Sequence, residues 1–190
     1  HHPTDSEDFT GKTLLKFLYG DLLETLLLSL ARASGHMVSG EQDTLEIGGV
    51  RGSRDAVIDG YTVDVKSASG YSFAKFKNHL TAPDDSFAYL PQLKSYVYAG
   101  RDKPPYPDHD TGYFLVINKE NGEICLDKHI FFGYTDEWAG ELAAKKAAIL
   151  SDKTPPKAFK PAPEGKSGNM KLCTNCSYCS FKDTCWPGLR

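Results

Sequence analysis

The chain has 190 residues, 40% of them hydrophobic and 25% charged, with a formal net charge of −3. That composition is globular rather than disordered or fibrous, and a chain of this length buries about two thirds of the surface its unfolded form exposes. It excludes nucleic-acid binding through overall basic charge, which leaves local patches for any such contact, and no apolar run reaches the roughly 18 residues that span a bilayer.

His1 and His2 read as tag remnants or native residues, and no targeting segment is legible. From Thr13 to Ala33 apolar residues recur at 14, 15, 18, 22, 23, 26, 27 and 30, a helical period that Gly35 ends. Glu24 falls outside the polar sector of this helix, as the one charge among Phe17, Gly20, Leu28 and Ala31. A carboxylate there is costly unless it is paired, metal-bound or able to reach water. Thr44–Val50, Arg51–Ile58 and Tyr61–Ser67 predict strands, the last two joined by an Asp59-Gly60 turn. Counting outward from that turn sets Asp55 across from Asp64 with Cβ atoms about 4.5–5.5 Å apart. Period two then puts Lys66 on the face of Asp64, while Val63 and Val65 point into the core. Opposed carboxylates repel unless a proton or a cation sits between them.

Tyr71–Leu80 and Phe87–Ala99 predict helices, Pro91 being tolerated only near the start of the second. Tyr89, Gln92 and Tyr96 share one face of that helix, either as its amphipathic flank or as groups that bond phosphate and stack on bases. Lys75 and Lys77 read as DNA-backbone contacts or as a solvated helix face. "GYFLVINKENGEICLDKHIFF" predicts a hairpin turning at Asn121-Gly122, with Cys125 as packing, and Asp136–Leu150 a helix. His36, His79, His109 and His129 show no ligand spacing and read as surface or boundary residues. Between Lys153 and Lys171 five lysines meet a single acid, Glu164, in a Pro/Gly-rich stretch that is either a solvated linker or a strap along a nucleic-acid backbone.

Near its end the chain reads "CTNCSYCSFKDTC", where Cys173, Cys176, Cys179 and Cys185 are spaced x2, x2 and x5. Thiols this dense point to a metal site rather than to two disulfides. Zinc ribbons separate two cysteine pairs by a longer loop, so the spacing suits a 4Fe-4S cluster better, with Zn2+ as the alternative. The expected organisation is an α/β core over 1–151, a linker over 152–170 and a cysteine metal-cluster tail over 171–190 packing on the core.

Glu24, Asp55, Asp64 and Lys66 together supply what metal-dependent phosphodiester hydrolysis needs. Hard oxygens hold Mg2+ or Mn2+, and an ammonium orients the nucleophile or stabilises the oxyanion. In chain order "GDLLETLL", "RDAVIDG", "VDVKSAS" and "QLKSY" resemble the four motifs of the PD-(D/E)XK nuclease superfamily. The nearest branch is that of RecB-like exonucleases, with CRISPR-associated RecB-like and phage iron–sulfur members. The resemblance covers roughly residues 14 to 100 and the tail. It implies a restriction-endonuclease-like core, a central mixed β-sheet flanked by helices. It further implies one or two Mg2+ or Mn2+ ions held by Glu24, Asp55, Asp64 and the Val65 carbonyl, catalysis by Lys66, and active-site or DNA contacts by Gln92 and Tyr96. The implied activity is exonucleolytic cleavage of linear DNA in phage or bacterial recombination, repair or degradation, in the cytoplasm and without a membrane partner. Cys176, Cys179 and Cys185 resemble the tail motif of the iron–sulfur members, whose fourth cysteine usually lies upstream of the core. Here either Cys173 supplies that ligand or a residue outside this sequence does. The rival readings are a degenerate nuclease fold that binds nucleic acid without cleaving it, and an iron–sulfur electron carrier, which leaves the carboxylates unexplained.

Overall fold

The Thr10 hydroxyl accepts the Thr13 amide and so caps α1 (Gly11–Ala33), which ends at Ser34 and a left-handed Gly35. The computed structural model describes residues 10–132, 136–151, 153, 156, 157, 159–177, 179 and 181–189. After α1 come β1 (Val38–Ser39), β2 (Thr44–Ile47), β3 (Val50–Ser53), β4 (Ala56–Ile58) and β5 (Tyr61–Ala68). There follow α2 (Gly70–Lys77), a 3-10 turn (Ala82–Asp84), α3 (Tyr89–Gly100), β6 (Thr111–Asn118), β7 (Ile124–Ile130) and α4 (Asp136–Leu150). The described tail carries β8 (Ala162–Pro163), β9 (Met170–Lys171), α5 (Thr174–Ser177) and α6 (Lys182–Cys185).

The main sheet has five strands in the order β1-β4-β5-β6-β7, with β5 and β6 parallel and the other neighbours antiparallel. A parallel step needs a crossover, which α2 and α3 provide. Leu27 and Leu28 of α1 pack on Ala56, Val63, Val65, Leu115 and Ile117 on one sheet face. Phe73, Phe76, Leu93 and Val97 of α2 and α3 pack on Ala68, Phe114 and Val116 on the other. The molecule is therefore a mixed α/β fold with a helix-flanked mixed sheet, and β5 is covered on both sides. A strand in that position is ordinarily apolar throughout. Close approach of α3 depends on Gly112, where a Cβ would lie 2.7 Å from Val97 Cγ2 and 2.9 Å from Leu93 Cδ1.

The expected strand Arg51–Ile58 is two elements. Gly48 and Gly49, with φ of 57° and 72°, close a tight β2–β3 hairpin, and the chain leaves that hairpin at Arg54 and Asp55 before entering β4. The expected helix Tyr71–Leu80 stops at Lys77, because Asn78 ends it and His79 takes a φ of 71°. The second helix starts at Tyr89, with Pro91 in its first turn. The apolar row of α1 also differs from expectation. Leu27 and Leu28 are buried, whereas Leu14, Leu15, Leu18, Leu22, Leu26 and Leu30 are exposed. Contact with the sheet runs along the flank that carries Leu23, Leu27 and Leu28, and a groove stays open beside β6 and β7, lined by Leu30, Tyr113, Leu115, Ile124 and Leu126.

Across the expected boundary of linker and tail β8 and β9 pair as a short hairpin, and the tail lies on the core through buried Leu172 and an Asn175 amide that donates to the Ser86 carbonyl at 2.7 Å. Cys125 packs against the α2–α3 core, as expected. Among the described residues no helix is long and apolar enough to cross a membrane.

Candidate active site

Asp64 stands in the middle of β5, 1% exposed. Strand alternation puts Thr62, Asp64, Lys66 and Ala68 on the face covered by α2 and α3, opposite Val63 and Val65. No directed hydrogen bond reaches either carboxylate oxygen among the described residues, and the Lys66 ammonium sets itself against Oδ2 as an ion pair. Burial is the main reason that the Asp64 carboxyl is pushed up to about 6; the charges of Asp55 and Glu24 add to it and Lys66 opposes it. Burial pulls on Lys66 in the other direction, yet Asp64 and Asp55 outweigh it, so the ammonium titrates above its ordinary range and stays charged.

The β4–β5 ladder follows the register set by the Asp59-Gly60 turn and ends at Ala56 and Val63, one pair short of Asp55 and Asp64. Asp55 has left the ladder, and its Oδ2 accepts the Val65 amide at 2.6 Å, a bond that a neighbouring strand would otherwise make. Burial raises the Asp55 carboxyl against the pull of that amide and of Lys66. Glu24 stands one helical turn before Leu28, so the apolar sector it occupies is the flank of α1 that faces the sheet. Its Oε1 accepts Gln42 Nε2 at 2.7 Å, and burial, then the charge of Asp55, raises its carboxyl. Glu24, Asp55, Val65 and Lys66, together with Asp21 and Phe17, line a cleft of about 400 Å3.

From the opposite face α3 brings three polar side chains. Asp85 caps that helix, its two oxygens accepting the Tyr89 and Leu90 amides at 2.9 and 2.8 Å. The Tyr89 ring centroid lies 5.2 Å from Lys66 Nζ, within cation–π range, and Gln92 Nε2 donates to the Tyr96 hydroxyl at 3.0 Å. Burial raises both phenols, and Asp64 and Asp55 push Tyr96 further in the same direction. Residues far apart in sequence, Glu24, Asp55, Asp64, Lys66, Tyr89, Gln92 and Tyr96, thus come into one neighbourhood. Lys75 and Lys77 are engaged elsewhere on α2. Lys75 donates to the Asp84 carbonyl at 3.0 Å, and Lys77 pairs with Glu123 at 2.5 Å. All five cysteines are free thiols, four of them in the tail and Cys125 in the core; in the tail desolvation, then Cys173, raises the Cys176 thiol, with Cys179 adding to the shift.

Two residues that sequence reasoning passed over support this neighbourhood. Arg54 is 0% exposed; its guanidinium donates to the Gly40 carbonyl at 3.4 Å, to Asp43 Oδ2 at 2.6 Å and to the Pro104 carbonyl at 3.1 Å. It ties two loops to the residue next to Asp55. Period two with buried Ala56 was the available signal. Gln42, with a φ of 53°, holds Glu24 from a turn that carried no signal.

Glu24, Asp55 and Asp64 all hold protons more tightly than an ordinary carboxyl. The stability each contributes is therefore whole below the usual range near pH 4 and lost as pH rises through the raised value, about 6 for Asp64. Glu24→Gln is expected to melt with the wild type at pH 4 and about 1–2 °C above it at pH 7.5 in EDTA. The effect stays well under about 1 kcal/mol because part of the group faces water. Paired thermal melts across that range check it, and a lower melting temperature at pH 7.5 refutes the repulsion.

No protein-family profile and no curated protein matches the chain. Its fold is similar to the crystal structure of SSO0001. The two superpose with a TM-score of 0.49 at 15% identity, over 92% of this chain and 72% of that one.

Proposed function

We propose that the chain is a metal-dependent DNA exonuclease of the PD-(D/E)XK superfamily, in its RecB-like branch. The observation that carries this reading is Asp64, a carboxylate placed inside a doubly covered strand and paired with Lys66, which lines a cleft together with Asp55 and Glu24. A fold does not spend its central strand on an under-bonded charge without a compensating use. The donor types suit Mg2+ or Mn2+, since they are hard oxygens whose mutual repulsion Lys66 opposes, though their ligand atoms are more widely spread than the 4.8 Å within which His79, Asp127 and His129 gather.

Glu24, Asp55, Asp64 and the Val65 carbonyl would hold the cation. Bound there, it supplies Lewis acidity and a lower pKa for water. Lys66, kept charged by Asp64, orients the attacking water and stabilises charge on the phosphate oxygen. Gln92 and Tyr96 hold the scissile phosphate from the α3 side, and Tyr89 fixes the direction of the Lys66 ammonium. Cys173, Cys176, Cys179 and Cys185 would hold a 4Fe-4S cluster, or Zn2+, as a structural brace of the tail. The DNA partner and a setting in phage or bacterial DNA processing belong to the same proposal.

Linear DNA labelled separately at its 5′ and 3′ ends, incubated with Mn2+, Mg2+ or EDTA, tests it. Metal-dependent shortening is the expected result, and the label released first gives the polarity. DNA binding indifferent to metal, with no cleavage of single or double strands, favours the non-catalytic nucleic-acid-binding module instead.

A further inference from the structure

Two strands from Asp64 in the same row of the main sheet, across Phe114, Asp127 of β7 is 3% exposed. Its Oδ2 accepts the Leu80 amide at 2.9 Å and meets His129 Nε2 at 2.9 Å, while its Oδ1 meets His79 Nδ1 at 2.8 Å. The ion pairs it makes are with these two imidazoles. Far from being surface residues as a group, His129 is 7% exposed and His79 stacks on it, ring centroids 4.5 Å apart and planes 18° from parallel. The three side chains are the group of ligand atoms that converges within 4.8 Å among the described residues.

We propose that His79, Asp127 and His129 form a binding site for a divalent transition cation of the zinc class, independent of the carboxylate cleft and of the nuclease reading. Hydrogen bonds from two imidazoles and one amide converge on a buried carboxylate, and a buried charge is ordinarily paired or metal-bound. Two nitrogens and one carboxylate oxygen are a zinc-type donor set, with bonds of about 2.0–2.2 Å. Ligand atoms around a tetrahedral ion lie about 3.3–3.5 Å apart on those bond lengths. His79 meets Oδ1 and His129 meets Oδ2, and with one ligand atom from each residue all three lie within 4.8 Å of one another, so small side-chain rotations bring them to that spacing. The Leu80 amide steadies the carboxylate from outside, as supporting partners of metal ligands do. His79 reaches the site only because its backbone takes a φ of 71°, a conformation that a non-glycine residue adopts at a cost. Its side chain is 60% exposed, which leaves the fourth position open to water. An ion there would clamp the segment after α2 onto edge strand β7 and stabilise the fold by binding the native state alone.

The competing arrangement is a hydrogen-bonded His–Asp–His clamp with no affinity for metal, and titration of the full chain with Co2+ separates the two. The expected result is one equivalent of Co2+ showing strong visible bands of a tetrahedral ion, without the near-ultraviolet charge-transfer band that thiolate ligands in the tail would add. His79→Asn keeps a residue tolerant of left-handed backbone on an exposed side chain, so it folds. It is expected to weaken that uptake by more than the roughly 10- to 100-fold typical of losing an outer partner. His129→Gln is expected to do the same, and Asp64→Asn to leave the tetrahedral visible bands unchanged. Zn2+ should raise the melting temperature of the wild type and not that of His79→Asn. Visible bands that always come with thiolate charge transfer, bands lost in Asp64→Asn, or a His79→Asn variant that binds like the wild type would each overturn the site.

Discussion

Asp64→Asn and Lys66→Met, made singly, are each expected to lower metal-dependent DNA cleavage by about 10²–10³-fold or more while the chain stays folded. Asparagine fills the volume of Asp64 between α3 and the sheet, so the packing that surrounds it on both sides is kept; what goes is the charge. Lys66 then still faces Asp55, which prevents a wholly unpaired ammonium from unfolding the strand. Methionine in turn preserves the aliphatic stem of Lys66 beside Tyr89 and removes only the charged end. Because the two groups act as one unit, the double variant should be scarcely worse than either single one. End-labelled cleavage assays in Mn2+, with thermal melts of the same preparations, decide the matter. Folded variants that cleave at the wild-type rate would remove the active-site assignment.

Arg54→Met is expected to cost about 3 kcal/mol of stability, a fall in melting temperature of about 6–12 °C for a chain of this size. The guanidinium sits fully inside and satisfies the Gly40 and Pro104 carbonyls as well as Asp43. Methionine replaces the stem but leaves those acceptors without a donor, at about 1–3 kcal/mol for each that water cannot reach. Lysine is no substitute, since one ammonium cannot span acceptors arranged for a planar fork. The neighbouring Asp55 is placed by the same anchor, so the surviving folded fraction should also bind Mn2+ more weakly. Denaturation with and without Mn2+ measures both effects. A melting temperature within about 2 °C of the wild type would show that the loops hold without the arginine.

What could be read from the sequence was what depends on neighbours along the chain. The Asp59-Gly60 turn takes φ of 50° and 84° and pairs Ile58 with Tyr61, which fixes the register that brings Asp55 and Asp64 to the same end of the hairpin. Glu24 stood out as the one charge in an apolar helical sector, and that sector does face the sheet. The same wheel overstated the burial of α1, because periodicity ranks which residues prefer the core without saying how much sheet is there to cover them. Gly48-Gly49 offered a turn signal between apolar residues that a longer strand reading concealed. Arg54 was less accessible, since its partners are backbone carbonyls from two loops. The metal-type cluster was half legible: Asp127 and His129 share a strand face at period two, but His79 joins them across the fold by a left-handed backbone that nothing around it announces.

Asn175 of the tail grips the carbonyl of Ser86, beside the Asp85 carboxylate that caps α3. The cysteine tail is in this sense a strut against thermal motion rather than a reagent. Freed from its dock, it would leave Gln92 and Tyr96 on a helix whose first turn frays more readily with heat. Under the proposed function, a chain without that strut would work in the cold and fail in the warm, a temperature-sensitive enzyme with every catalytic side chain intact.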